Sequence, residues 1–158
     1  MTRSLAASAV LAILLPLLAA CGGNSAMRAQ GARLSDVPDP EPERFAGKEP
    51  VVVLAGKATY YSDSLAGNHT ANGEIYDPAR LTAASRDLPF GTIVRVIRRD
   101  TGADVIVRIN DRGPFGNKRR ILDLSRAAAR ELGILQRGVV DVRAEVLELG
   151  PPRRARRR

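Results

Sequence analysis

The chain contains no tryptophan, and one cysteine and one histidine in 158 residues. Each shortage excludes something. A single cysteine cannot close an internal disulfide, so the fold must hold without covalent staples. One cysteine and one histidine rule out a zinc site of the usual His/Cys type, and no cofactor is expected. With aromatics at 4%, a surface that stacks on a sugar or base must draw on few rings. Internal repeats are absent, which argues against a solenoid. Charge of one sign is also lacking once the ends are set aside. The formal charge is +8, but of 25 basic residues Arg3 lies near the start and five lie in the final PPRRARRR, leaving 19 against 17 acidic residues. A nearly neutral body gives no compositional case for nucleic-acid binding.

What is present begins at the N-terminus. Arg3 precedes an apolar run from Leu5 to Leu18, followed by Ala19, Ala20 and Cys21. The run is too short for a comfortable membrane span and reads as a secretory signal peptide over residues 1–20. Read as incidental, Cys21 would leave a free thiol in an exported, oxidising setting. Leu-Ala-Ala-Cys followed by Gly22 resembles the bacterial lipoprotein lipobox. That resemblance implies that the Cys21 sulfur is lipidated and that the mature chain starts there. Acyl chains contribute about 0.8 kcal/mol per buried CH₂, enough together to hold a protein on a membrane it does not span. Gly22 replaces the aspartate that favours inner-membrane retention in enteric-type bacteria. The expected location is the outer membrane, facing the periplasm, with the cell membrane as the alternative.

Residues 21–50 are rich in Gly, Pro, Ser and acids, as in DVPDPEPE, and read as a flexible tether. Residues 51–149 carry regular apolar patterning and suffice for one domain. Residues 150–158 read as a disordered basic tail that can touch anionic surfaces.

Within the domain, Val51–Tyr61 is β-prone, with Gly56 as a break, and Ser62–Gly73 reads as a long loop. Leu81–Ala84 is a short apolar piece. Thr92–Arg98 and Asp104–Asn110 form a hairpin across Arg99–Ala103. Val105, Val107 and Ile109 share one face of the second strand, and Ile106, Arg108 and Asn110 the other. Ser125 caps a helix over Arg126–Leu132, which Gly133 ends. Val140, Val142, Ala144 and Val146 alternate with Asp141, Arg143 and Glu145. Several short strands with one helix indicate a small closed β-barrel.

Two stretches carry candidate chemistry: Thr70–Asp77 (TANGEIYD) and Val107–Phe115 (VRINDRGPF). Asp111 sits just past a strand end, before a Gly-Pro turn. Such a place fixes a side chain's direction and leaves it accessible. Spacing alone leaves Asp111 open between a catalytic carboxyl and a turn cap paired with Arg112. Tyr60 and Tyr61 are adjacent on a strand and should face opposite ways. Tyr61, Tyr76 and Phe115 are the candidates for a sugar platform, with core packing as the default for each.

TANGEIYD, LTAASRDLPFGT, VRINDRGPF and the later ILDLS-AAA-LG, in one order over roughly Ala55–Leu149, resemble the rare lipoprotein A (RlpA) family of endolytic peptidoglycan transglycosylases. The resemblance implies a six-stranded double-psi β-barrel with one or two short helices, of the kind also found in expansins. It aligns Asp111 with the family's catalytic aspartate, and Glu74 and Asp77 with its other acidic groove residues. It implies cleavage of the MurNAc–GlcNAc β-1,4 bond with 1,6-anhydro product; the expected partners are glycan strands and, through the lipid anchor, a membrane, and the chain is expected to be a monomer. On that basis Asp111 is the acid/base, Glu74 a supporting carboxylate and Asp77 a group behind it. Arg112 either grips substrate or lowers the pKa of Asp111. The family pattern has a histidine where this chain has Ser85, and serine neither titrates near neutral pH nor carries positive charge. The one histidine, His69, lies in the loop before TANGE and is the available substitute. A barrel that binds glycan without turnover is the alternative.

Overall fold

In a computed structural model of the chain, residues 37–152 are described. They fall in one compact unit, Gly31–Arg158; the other, Met1–Gln30, lies wholly outside the described residues. The expected signal peptide, Cys21 and the arginines of the tail therefore also lie outside them.

Alternating β-branched residues dictate the strands, because they fit a pleated surface that buries one face. β1 (Val52–Tyr60), β2 (Thr82–Ala84), β3 (Ile93–Arg98), β4 (Asp104–Asp111), β5 (Arg120–Leu124) and β6 (Val140–Glu148) close into a barrel in the order β1-β5-β2-β4-β3-β6. β3 and β4 are the expected hairpin, with Val94 opposite Val107 and Val96 opposite Val105. β1 runs parallel to β5, and β2 runs parallel to β4; the other four pairings are antiparallel. Closure leaves no free sheet edge. Val94, Val96, Val107, Ile109, Leu122, Leu124, Val142, Ala144 and Val146 fill the interior.

The one α-helix among the described residues, α1 (Arg126–Glu131), starts as the sequence predicts. Ser125 is its N-cap, with the side chain accepting the Ala128 N–H, and Gly133 turns the chain away at φ +69°. Two expectations need correction. Gly56 does not break β1, which runs through it. A Cβ there would lie 2.7 Å from Ile121 Cγ2 and 2.9 Å from the Arg119 carbonyl oxygen, so glycine lets the two chains approach. Arg120–Leu124, read only as part of a motif, is a full strand of the barrel.

The described part of the tether, residues 37–50, packs on the barrel. Phe45, in a 3₁₀ turn over Pro42–Phe45, is buried against Ile93, Ile106 and Leu147. Asp39 accepts from Arg80 Nε at 2.8 Å and from the Leu81 N–H at 3.1 Å, just ahead of β2. This cover explains why Ile106 and Arg108, on the outer face of β4, are as buried as the inward valines.

Candidate active site

β4 ends at Asp111, beside β2 and the loop that carries TANGE. Ala84 pairs with Asp111 across the parallel β2–β4 contact, and the Ser85 N–H donates to the Asp111 carbonyl at 3.2 Å. From this rim the half-buried Asp111 side chain meets three donors. Oδ1 accepts the main-chain N–H groups of Ala71 and Arg112, each at 2.7 Å. Oδ2 accepts the Tyr61 hydroxyl at 2.7 Å. The following turn is shaped by Gly113, whose φ of +146° suits glycine, and by a cis bond to Pro114. Asp111 is thus placed at an accessible strand end and held from two other segments of the chain.

Glu74 is placed differently from a second groove acid. It is 5% exposed. Its Oε1 accepts from Arg108 Nη1 at 2.6 Å and Asn72 Nδ2 at 2.7 Å; its Oε2 accepts from Arg108 Nη2 at 3.0 Å and Asn110 Nδ2 at 2.9 Å. Burial pushes its pKa up, but the bonds from Arg108, Asn110 and Asn72 outweigh that and hold the carboxyl below its ordinary value. A carboxylate so held is ionised and has both oxygens occupied. What it does is fix the loop: the Glu74 carbonyl accepts the Thr70 N–H at 2.8 Å, and Ala71 between them reaches Asp111.

Glu74 lines a cavity of about 230 Å³ with Ile75, Asp77, Arg80, Thr82 and Asn110. Asp77 is exposed there and accepts the Ala79 N–H at 2.8 Å, which shapes its own turn. His69 is exposed, with Nδ1 3.4 Å from the Gly73 carbonyl oxygen, and pairs with Ile75 across the loop. Ser85 is buried, and its Oγ accepts the Leu88 N–H at 3.3 Å. Arg112 turns its guanidinium onto the carbonyls of Ser85 and Leu88, at 3.1 and 3.0 Å, and over the Phe90 ring at 3.6 Å. It ties the LPFG turn to the end of β4.

Of the three platform candidates, Tyr76 is buried and Tyr61 points its hydroxyl at Asp111, with its ring edge-on to Tyr76 at 4.9 Å. Phe115, 75% exposed, is the accessible ring.

Sequence reasoning missed Asp123. It lies in ILDLS, on β5, and a Cβ placed on Gly113 would lie 3.7 Å from its Oδ2. Thr59 and Arg120 both donate to its Oδ1, the latter at 2.7 Å. The signal was an acid alternating with the apolar residues of a strand. Among the described residues, no group of three His, Cys, Asp or Glu side chains is placed to hold a metal ion.

Residues 53–144 match the protein family described as lytic transglycolase, of the DPBB_1 type. The chain is 45% identical over 102 residues to the endolytic peptidoglycan transglycosylase RlpA of Vibrio cholerae serotype O1, covering 65% of this chain and 38% of that protein. It is 53% identical over 94 residues to the probable endolytic peptidoglycan transglycosylase RlpA of Nostoc sp. strain PCC 7120, covering 58% of this chain and 25% of that one. The chain thus spans well under half the length of these curated relatives. Among solved structures it is similar to the Streptomyces papain inhibitor, with a TM-score of 0.51 and 26% identity over 63% of this chain and 97% of that chain. The closed six-stranded barrel is a double-psi β-barrel.

Proposed function

The chain belongs to the lytic transglycolase family, and on that premise we propose that it cleaves peptidoglycan glycan strands at the MurNAc–GlcNAc bond and leaves 1,6-anhydro ends. The observation that carries the reading is Asp111, a half-buried carboxyl at a strand rim, aimed by donors from Ala71, Arg112 and Tyr61.

One carboxyl suffices for this chemistry. The acid form of Asp111 gives its proton to the glycosidic oxygen as the C1–O bond breaks. The carboxylate then takes the proton of the C6 hydroxyl as O6 bonds to C1, closing the anhydro ring. The proton count on Asp111 is restored, and no water is consumed. A hydrolase, by contrast, needs a second carboxyl to activate water or to act as nucleophile. Glu74, ionised and saturated with donors, is a positioning residue in this scheme: it holds the loop that brings Ala71 N–H to Asp111. Phe115 and Ile75, exposed apolar side chains on the loops after β4 and before β2, are the surfaces for sugar faces.

Asp111→Asn keeps the shape of the side chain and one acceptor oxygen, and replaces the other with an amide that has no acid proton to give. In the full chain it is expected to lower release of anhydro-ended fragments by about 10²–10⁴-fold. Wild-type turnover in this variant rejects Asp111 as the acid. Ser85 favours a second reading, a glycan-binding barrel without turnover, because its side chain is buried beside the Leu88 N–H and carries no charge. Wild-type protein that binds glycan yet releases nothing selects that reading.

Lipidation of Cys21 and export to the bacterial envelope are part of the same proposal. Their support is the Leu-Ala-Ala-Cys sequence behind an apolar leader. Cys21→Ser is expected to leave the membrane fraction, and continued tight association contradicts the anchor.

A further inference from the structure

We propose that Tyr61 is a positioning residue that makes Oδ2 of Asp111 the oxygen carrying the exchanged proton. The inference rests on the transglycosylase reading of the site.

The two oxygens of Asp111 face unlike partners. Oδ1 meets two main-chain N–H groups, Ala71 and Arg112, each at 2.7 Å. A main-chain N–H only donates, so a proton placed on Oδ1 would point into a site already filled by two hydrogens. Oδ2 meets the Tyr61 hydroxyl at 2.7 Å. A hydroxyl donates one hydrogen and accepts through two lone pairs. It therefore stays bonded to Oδ2 whether that oxygen is bare or protonated. The neutral acid carries its proton on Oδ2, and Tyr61 fixes one direction at that oxygen while the other is left for the sugar.

The phenol is itself held by the framework. Its ring packs edge-on against Tyr76, with centroids 4.9 Å apart. The Tyr76 hydroxyl accepts the Arg126 N–H at 3.3 Å, at the first residue of α1. Burial, then the bond to Asp111 and the charge of Asp111, raises the Tyr61 phenol far above its ordinary range. Tyr61 thus keeps its own proton throughout. In the first step the Oδ2 proton passes to the glycosidic oxygen; in the second, Oδ2 receives the C6 hydroxyl proton.

Tyr61→Phe tests this, because phenylalanine retains the ring that packs on Tyr76. In the full chain kcat for anhydro product is expected to fall about 10²-fold, the cost of a misplaced reacting group, with KM within about twofold and cooperative unfolding retained. A second measurement needs no turnover. In alkaline ultraviolet titration Tyr61 is expected to resist ionisation in the wild type and to ionise at lower pH in Asp111→Asn, with Tyr61→Phe identifying its signal. Wild-type kcat in Tyr61→Phe overturns the inference. So does a Tyr61 titration that Asp111→Asn leaves unchanged. If the wild type forms no anhydro product, the transglycosylase reading fails and takes the proton's assignment with it, even where the titration shows Tyr61 and Asp111 coupled.

Discussion

At the scale of single residues, Glu74 shows how a buried charge serves a site without touching the reacting atoms. Its partner Arg108 is as buried as Glu74 itself, at 6% side-chain exposure each. Removing Arg108 leaves Glu74 buried and charged, with the amides of Asn72 and Asn110 but no counter-charge. Arg108→Met is therefore expected to lower unfolding free energy by roughly 3 kcal/mol, read by denaturant titration. The pH dependence has a definite sign. The folded pKa of Glu74 lies below its ordinary value of 4.5. Its contribution is present above about pH 4.5 and is lost as pH falls through the lowered folded value. Acid unfolding of the wild type should be steeper there than that of Glu74→Gln. The rim position of Asp111 was legible in the sequence because a strand end and a Gly-Pro turn flank it, whereas its role as the acid was offered only by the family resemblance. The saturated state of Glu74 was not, because Arg108 and Asn110, which hold it, lie 34 and 36 positions away and meet it only in the fold. Tyr61 was singled out for its ring, whereas its hydroxyl is what reaches the acid.

At the scale of elements, alternation located most of the barrel. The β3–β4 hairpin and β6 announce themselves through valines at every second place. α1 was legible from its cap and its terminal glycine. β5 was not, since it is short and interrupted by Asp123, and its place is set by parallel pairing with β1. Nor was the docking of residues 37–50 legible, since proline and acid content matched that of an unstructured linker. One ring decides that segment: Phe45 is 2% exposed and completes a small cluster with Ile93, Ile106 and Leu147. Phe45→Ala is expected to cost about 3 kcal/mol of stability, measured by denaturant titration. A change under about 0.5 kcal/mol, the range of ordinary surface substitutions, contradicts that docking. Asp39 extends the same argument towards the site, because it clamps Arg80 and Leu81 where β2 begins.

At the scale of the whole molecule, a closed barrel of 9-residue and shorter strands surrounds an apolar core, and the candidate site occupies its rim. Residues far apart in sequence meet at that rim, Tyr61, Ala71 and Ser85 from loops and Asp111 from the end of β4. A rigid barrel holds them in one arrangement, as a single-carboxyl reaction requires. In the proposed reaction the sugar's own hydroxyl, and not water, closes the cleaved bond. Digestion of glycan strands by the full chain in water enriched in oxygen-18, followed by mass spectrometry, separates the two routes. The expected products are new ends lighter than the hydrolytic product by one water and free of the heavy isotope, and these ends are lost in Asp111→Asn. Reducing ends that carry oxygen-18 contradict the proposed reaction.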